Sequence, residues 1–288
     1  MTRWHSWPAW RRIAGLTGDE MSSATIRGRE LAAALVELVD ALEASAPENE
    51  GFIVEPLLEA VDLVADAHPT AAPILNIKNI VYLHARDDVA LLRKRLAGVT
   101  SRLDEAPSRM ATEGALLIAD GSTVLTHSLS ASVRAVLGAA LADGRRLQVV
   151  VSDAGPGWRG RDVAHGLAAD GFDVEVLTAD EAVGWIAGMD LALVGAEAIG
   201  PGRVINRVGT GRLAEAARDA EVPMYVVAAT DKILAEELFR VSSELMRSDT
   251  MEQVPLSWFT AVITDEGILM PGVVARRATE QPVARELR

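Results

Sequence analysis

The 288-residue chain has no cysteine, which excludes disulfides, thiolate metal sites and cysteine nucleophiles together. Lysine occurs only at Lys78, Lys94 and Lys232, so nearly all positive charge is arginine. Basic residues are also outnumbered, 28 Lys and Arg against 41 Asp and Glu, giving a formal net charge of −13. A nucleic-acid-binding surface needs clustered Lys and Arg, so direct nucleic-acid binding is not expected, although a local basic pocket for a phosphate is still allowed. No apolar run reaches the roughly 18 residues of a membrane helix, and the N-terminus lacks the apolar core of a signal peptide. The histidines at 5, 68, 84, 127 and 165 are scattered without metal-ligand spacing. Neither a G-x-G-x-x-G turn nor a Walker lysine motif is present. The expectation is a cytoplasmic protein with no membrane contact, no metal and no cofactor.

What is present is ample apolar material, 49% of the residues, and length enough for two domains. Residues 1–20 form a tail carrying Trp4, Trp7 and Trp10 before Arg11 and Arg12, with Pro8 interrupting it. It reads as a docking segment or a frayed terminus. From Ser22 onward Ile26, Leu31, Leu35, Leu38, Val39 and Leu42 recur at helical spacing. A second amphipathic helix is expected over 52–67 and a third over 72–84. One or two more are expected between 87 and 117, interrupted near Pro107. Residues 21–113 therefore read as an N-terminal helical domain.

After Gly114 the pattern changes. Short β-rich runs at 123–127, 147–152, 173–178, 191–195 and 224–229 alternate with helical segments. Their interiors are almost wholly apolar, as in parallel strands covered on both faces. A last pair, 258–264 and 267–270, reads as a hairpin across Asp265-Glu266-Gly267. The fold class is α/β: a helical domain followed by a Rossmann-like, mostly parallel sheet domain over 114–288. Right-handed crossovers place all the strand carboxyl ends along one edge. That edge carries Thr126-His127-Ser128, Ser152-Asp153, Thr178-Ala179-Asp180, Gly195-Ala196-Glu197 and Ala229-Thr230-Asp231.

Ligands of open α/β sheets bind at strand carboxyl ends, and helix N-termini favour anions. The stretch Val194 to Thr210, reading VGAEAIGPGRVINRVGT, combines the two. It offers Glu197, Asn206, Arg207 and Thr210 as site candidates. The plainer alternative is a hairpin and a capped helix with a solvated Glu197. Ser128 beside His127 does not suggest a Ser–His pair, because adjacent strand residues face opposite sides; Ser128 or Ser130 serving as a helix cap is the simpler expectation. Gly28 within a helix costs about 1 kcal/mol against alanine, so a close helix or a ligand could require its space. Arg27 before it is either a phosphate ligand or a surface arginine. Asp120 and Asp231 read first as turn or cap residues.

Three segments in this order and spacing, DGSTVLTHSLSASV, VVSDAGPGWRG and VGAEAIGPGRVINRVGT, resemble the initiation factor 2B α/β/δ subunit family. Its superfamily includes ribose-1,5-bisphosphate isomerases and methylthioribose-1-phosphate isomerases. SATIRGRELAAA resembles the isomerases' Ile-Arg-Gly-Ala helix, HPTAAPILNI their Arg-Pro-Thr-Ala…Asn segment, and FTAVITDEGILMP their late hairpin. The likeness spans roughly residues 22–275, and Asn206-Arg207-Val208-Gly209-Thr210 is its most specific part. It implies a sugar-phosphate cleft between the domains and oligomers, dimers or larger, formed through the C-terminal domain. It also implies that Arg27 and Gly28 match a phosphate-binding helix start, and that Asn206 and Arg207 match an Asn-Lys pair, with Arg in place of Lys.

The departures bear on chemistry. The isomerases carry cysteine where this chain has Ser128, and aspartate where it has Glu197. Asp153-Ala154-Gly155-Pro156 lacks an arginine that the family places near phosphate; Arg159 or Arg161 is the nearby replacement. Aldose–ketose isomerisation needs groups of suitable pKa at two neighbouring carbons. A thiol near pKa 8.5 can cycle near neutrality, whereas a serine needs a strong partner base. The extra methylene of Glu197 misplaces its carboxylate, and about 1 Å can cost roughly 100-fold in rate. The resemblance thus points to a non-catalytic factor 2B-like protein that binds a sugar phosphate or nucleotide, with an initiation factor as a further partner. A sugar-phosphate isomerase using Glu197 as base and Ser128 as relay is the alternative, and an interaction module with a vestigial cleft is a third reading.

Overall fold

In a computed structural model, residues 3–19, 21–45, 50–153, 160–246 and 249–288 are described. The chain divides into two units. One comprises Met1–Glu105, Leu234–Leu245 and Glu280–Arg288, and the other Ala106–Ile233 and Met246–Thr279.

The first unit is helical: α1 (Pro8–Gly15), α2 (Ala24–Ser45), α3 (Glu50–Ala67), α4 (Ala72–His84) and the start of α5 (Val89–Ala115). Leu31, Leu35, Leu38 and Leu42 of α2 are fully buried against Leu57, Val61 and Val64 of α3 and Ile74 and Val81 of α4. With Val39, also fully buried, this is the apolar stripe read from the sequence except for Ile26, which is exposed because the stripe's contacts begin a turn later. The tryptophan-rich segment docks instead of fraying: Trp4, Trp10 and Ile13 lie in the same core, and Arg12 bridges to Glu30 and Glu37 of α2. Gly28 marks where α2 and α4 meet. A Cβ there would lie 2.7 Å from Cβ of Pro73, so a neighbouring helix accounts for the glycine.

The expected interruption at Pro107 does not occur; α5 runs through it. Proline removes one helical hydrogen bond, but Ala106 and Met110 beside it are buried, and that packing carries the helix across.

The second unit alternates as expected: β1 (Thr123–His127), α6 (Ala131–Ala142), β2 (Gln148–Ser152), α7 (Gly160–Ala169), β3 (Asp173–Leu177), α8 (Ala179–Trp185), β4 (Leu191–Val194), β5 (Ala198–Ile199), β6 (Arg203–Arg207), α9 (Thr210–Asp219), β7 (Met224–Val227), α10 (Glu236–Leu245, which clusters with the helical unit), β8 (Met251–Pro255), β9 (Ala261–Thr264), β10 (Gly267–Leu269) and α11 (Pro271–Glu280). Seven strands form one sheet in the order β10-β9-β7-β4-β1-β2-β3. All neighbours pair in parallel except the β9–β10 hairpin.

Strand residues alternate between two cores. Val124, Leu191 and Leu193 pack with α6 residues Val133, Val136 and Leu137. Leu125, Ala192 and Val194 pack with Leu213, Ala214 and Ala217 of α9. The order reverses between β1 and β4, so their carboxyl ends flank the crevice where an open α/β sheet takes its ligand. A second, antiparallel sheet, β5-β6-β8, is only half legible in the sequence. The β5–β6 hairpin is among the expectations, whereas β8, with its polar Glu252 and Gln253 and terminal Pro255, carries no alternating apolar signal.

Candidate binding site at the carboxyl edge of the sheet

At the end of β1 the backbone turns abruptly: Ser128 has φ +47°, a conformation uncommon outside glycine and often found at functional positions. The helix cap falls to Ser130, whose Oγ accepts from the Val133 amide at 3.1 Å. On the neighbouring strand, Gly195 passes so close that a Cβ would lie 2.7 Å from Cβ of Ser130. Ser128 and the Gly195-Ala196-Glu197 segment therefore leave adjacent strand ends together.

The second sheet brings in the rest. The Glu197 amide donates to the Ile205 carbonyl at 2.8 Å, just before the Ala198–Ile205 pair, and Asn206 pairs with Glu252. Continuing the register places Glu197, Asn206 and Glu252 side by side on one face, since opposed residues of antiparallel strands share a face. Glu197 is half-buried, and among the described residues no hydrogen bond or ion pair reaches its carboxylate. Arg207 is exposed at the end of β6 and makes no ion pair among the described residues. Asn206 is buried and donates from Nδ2 to Thr210 Oγ at 3.1 Å. Thr210 is fully buried and donates its hydroxyl to the Arg207 carbonyl at 2.7 Å. The Thr210 side chain thus shapes the turn from inside. Glu252 Oε1 accepts from the Gly211 amide at 2.8 Å, so a resident carboxylate already caps the first turn of α9.

His127 lies beneath this corner, almost wholly buried. Its Nε2 is 2.9 Å from the Val208 carbonyl and its Nδ1 3.3 Å from Ser152 Oγ. A carbonyl only accepts, so the proton resides on Nε2 and Nδ1 accepts from Ser152. Burial pushes the imidazole pKa below its usual 6.5; the Val208 carbonyl, Glu252 and Asp153 oppose that shift, and Arg207 adds to it. With both nitrogens engaged, His127 is not a base for Ser128, in agreement with the strand argument.

Of the sequence candidates, the fold brings Ser128, Glu197, Asn206, Arg207 and Thr210 to one corner of the sheet unit. Arg27 and Gly28 belong to the helical unit. There Arg27 Nη1 donates to the carbonyls of Asp19, at 3.0 Å, and Ser22, while its buried Nε has no partner among the described residues. Of the stretch Asp153-Ala154-Gly155-Pro156, residues 154–156 lie outside the described residues, as does Arg159, and the side chain of Arg161 is likewise not described. Asp120 accepts from the Arg146 amide at 2.8 Å, the turn role expected of it. Sequence reasoning missed Glu252, the buried role of His127 and the bond that Ser152 makes to it. Glu252 could not have been found without β8, whereas a histidine ending an apolar strand was a visible signal.

A doubly wound sheet preceded by helices, with polar groups at its switch point, defines a Rossmann-like architecture. The chain belongs to the initiation factor 2 subunit family, whose sequence model matches residues 20–252. It is 27% identical over 269 residues to an eIF-2B subunit 2-like protein of Pyrococcus abyssi, covering 88% of this chain and 95% of that one. It is 30% identical over 246 residues to a ribose 1,5-bisphosphate isomerase of Haloterrigena turkmenica, covering 82% and 75%. A chain of the tetrameric eIF2B-beta2-delta2 complex of C. thermophilum shares its fold at TM-score 0.72 and 19% identity, covering 94% and 93%. No described helix is long and apolar enough to cross a membrane.

Proposed function

We propose that this chain is a non-catalytic, ligand-binding member of the family, holding a sugar phosphate or nucleotide at the carboxyl edge of its sheet. The observation that carries the reading is the corner itself. Arg207, exposed and without an ion pair among the described residues, ends the strand whose preceding residue, Asn206, is the cross-strand neighbour of Glu197, a carboxylate with no partner among the described residues. Arginine offers a planar fork to phosphate, and a carboxylate accepts from sugar hydroxyls. Arg27, in the helical unit, is proposed separately as a phosphate contact on the family resemblance alone, whereas Gly28 is accounted for by its approach to Pro73. The non-catalytic reading is supported by Ser128, a hydroxyl in place of the isomerases' thiol, beside a His127 whose two ring nitrogens are engaged by Ser152 and Val208. The chain is further proposed to act in the cytoplasm as a homo-oligomer, dimeric or larger, with an initiation factor as its protein partner.

A thermal-shift and turnover screen tests this, using ribose 1,5-bisphosphate, methylthioribose 1-phosphate, hexose phosphates and nucleoside monophosphates. Saturating ligand raises stability by about 3 kcal/mol at 100 times its Kd. The expected outcome is stabilisation by at least one compound without turnover, weakened by Arg207→Ala and Arg27→Ala. The identity to a ribose 1,5-bisphosphate isomerase favours a second reading, and turnover of that sugar abolished by Glu197→Gln would establish it. Light scattering gives the oligomer size; a monomer would remove that part of the proposal.

A further inference from the structure

We infer that His127 is a positioning residue that sets the Arg207–Thr210 turn and ties it to the end of β1, so that ligand affinity at this corner depends on an imidazole the ligand never touches. The inference rests on the ligand-binding reading above. Four observations carry it.

The imidazole reaches from the parallel sheet to the Val208 carbonyl at 2.9 Å, and the amide of the same residue is held from the other side by the Thr250 carbonyl at 3.1 Å. Gly209 follows with φ +105°, and a Cβ on it would lie 2.9 Å from His127 Cε1. Ring and turn are therefore fitted to each other, and only glycine fits beneath the ring. Ser152 Oγ at Nδ1 fixes the tautomer that points N–H at the turn. The residue after the pinned histidine is Ser128, with its left-handed backbone, so one side chain anchors both segments of the candidate site.

The charged groups around the ring are Glu252 on β8, Asp153 after β2 and Arg207 on β6. Protonation at Nδ1 would convert the acceptor of the Ser152 bond into a donor and place a charge in a buried setting. The turn is therefore held as drawn while the ring is neutral.

The test uses the full-length protein with His127→Leu, which removes the donor, and His127→Gln, which keeps an N–H at similar reach. Hydrogen exchange of the 208–213 amides is compared with that of the β7 and β9 amides, and affinities for ribose 1,5-bisphosphate and AMP are measured by calorimetry. The leucine variant is expected to speed exchange at 208–213 by about tenfold relative to β7 and β9, and to weaken binding by about tenfold, roughly the worth of one lost hydrogen bond. The glutamine variant recovers most of both. Because burial lowers the His127 pKa from its ordinary value, wild-type affinity should hold through pH 6.5 and fall away from that of the glutamine variant, which does not titrate, only at lower pH. A uniform rise in exchange across the sheet, or unchanged affinity in the leucine variant, overturns the inference. Failure of both phosphates to bind the wild type counts against the function proposed above, and the exchange comparison then decides the turn-setting role alone.

Discussion

The two units bury polar groups in different ways. Among the buried polar residues, Asn79 and Ser242 belong to the helical unit, whereas Ser122, Thr126, His127, Ser152, Asn206, Thr210, Thr264 and Asp265 belong to the sheet unit. All of the latter but Ser122 lie at the carboxyl ends of strands or in the turn beside them. In the helical unit the buried polar group fastens architecture. Asn79 donates from Nδ2 to the Pro282 carbonyl at 2.8 Å and accepts from the Ala284 amide at 2.9 Å, clamping the C-terminal segment to α4. In the sheet unit His127 makes the same kind of grip on a distant backbone, but on a turn that carries exposed Arg207. The contrast singles out one edge of the sheet: a buried polar group is costly unless satisfied, and here most of that cost is concentrated where the candidate site lies.

The strongest test of the contrast is Asn79→Ala. It strands the buried Ala284 amide and breaks the bond to the carbonyl of exposed Pro282; an unsatisfied buried group costs about 1–3 kcal/mol and a lost hydrogen bond about 1 kcal/mol. A loss of about 3 kcal/mol is expected by denaturant titration, with ligand affinity unchanged. Gly209→Ala comes next, at about 2 kcal/mol, because a left-handed backbone is strained for alanine and its methyl meets the imidazole. Unlike the asparagine change, it should also weaken phosphate binding, and a variant that binds normally would erase the distinction between the two grips.

A smaller effect separates the grips by pH. The His127 pKa is lowered in the folded state from 6.5, so the unfolded chain takes up the proton first. The histidine's contribution to stability is complete above pH 6.5 and is lost as pH falls from there toward the lowered value. Thermal melts of wild type and His127→Gln should therefore diverge in that window, with the wild type losing more. Asn79→Ala should run parallel to wild type there. The smallest effect on stability is expected for Arg207→Ala, within about 0.5 kcal/mol as for surface substitutions, alongside about a tenfold loss of phosphate affinity. A large stability change would instead make Arg207 a structural residue.

Much of the molecule is legible in its amino-acid sequence. The apolar stripes of α2–α4 and the β-rich runs of the sheet have distinct periods, and each can be read to within a few residues. The cluster Glu197, Asn206, Arg207 and Thr210 is visible because a strand end, a glycine turn and a helix start fall within one short stretch. Three features are not legible. The helix through Pro107 depends on burial beside the proline. The strand β8 depends on a partner far along the chain. The role of Thr210 depends on which way its hydroxyl turns.

The class of fold, the edge where polar groups collect and the family all follow from the sequence, because periodicity and local motifs are properties of neighbouring residues. Folding in three dimensions was needed to place the N-terminal tryptophans in the core, to set Gly28 against Pro73, to bring Glu252 to the cap of α9, and to turn His127 toward Val208 and away from any service to Ser128. Each of these is a meeting of residues far apart in the chain. Such contacts arise from packing and from the need to satisfy buried polar groups, neither of which has a period that a sequence can display.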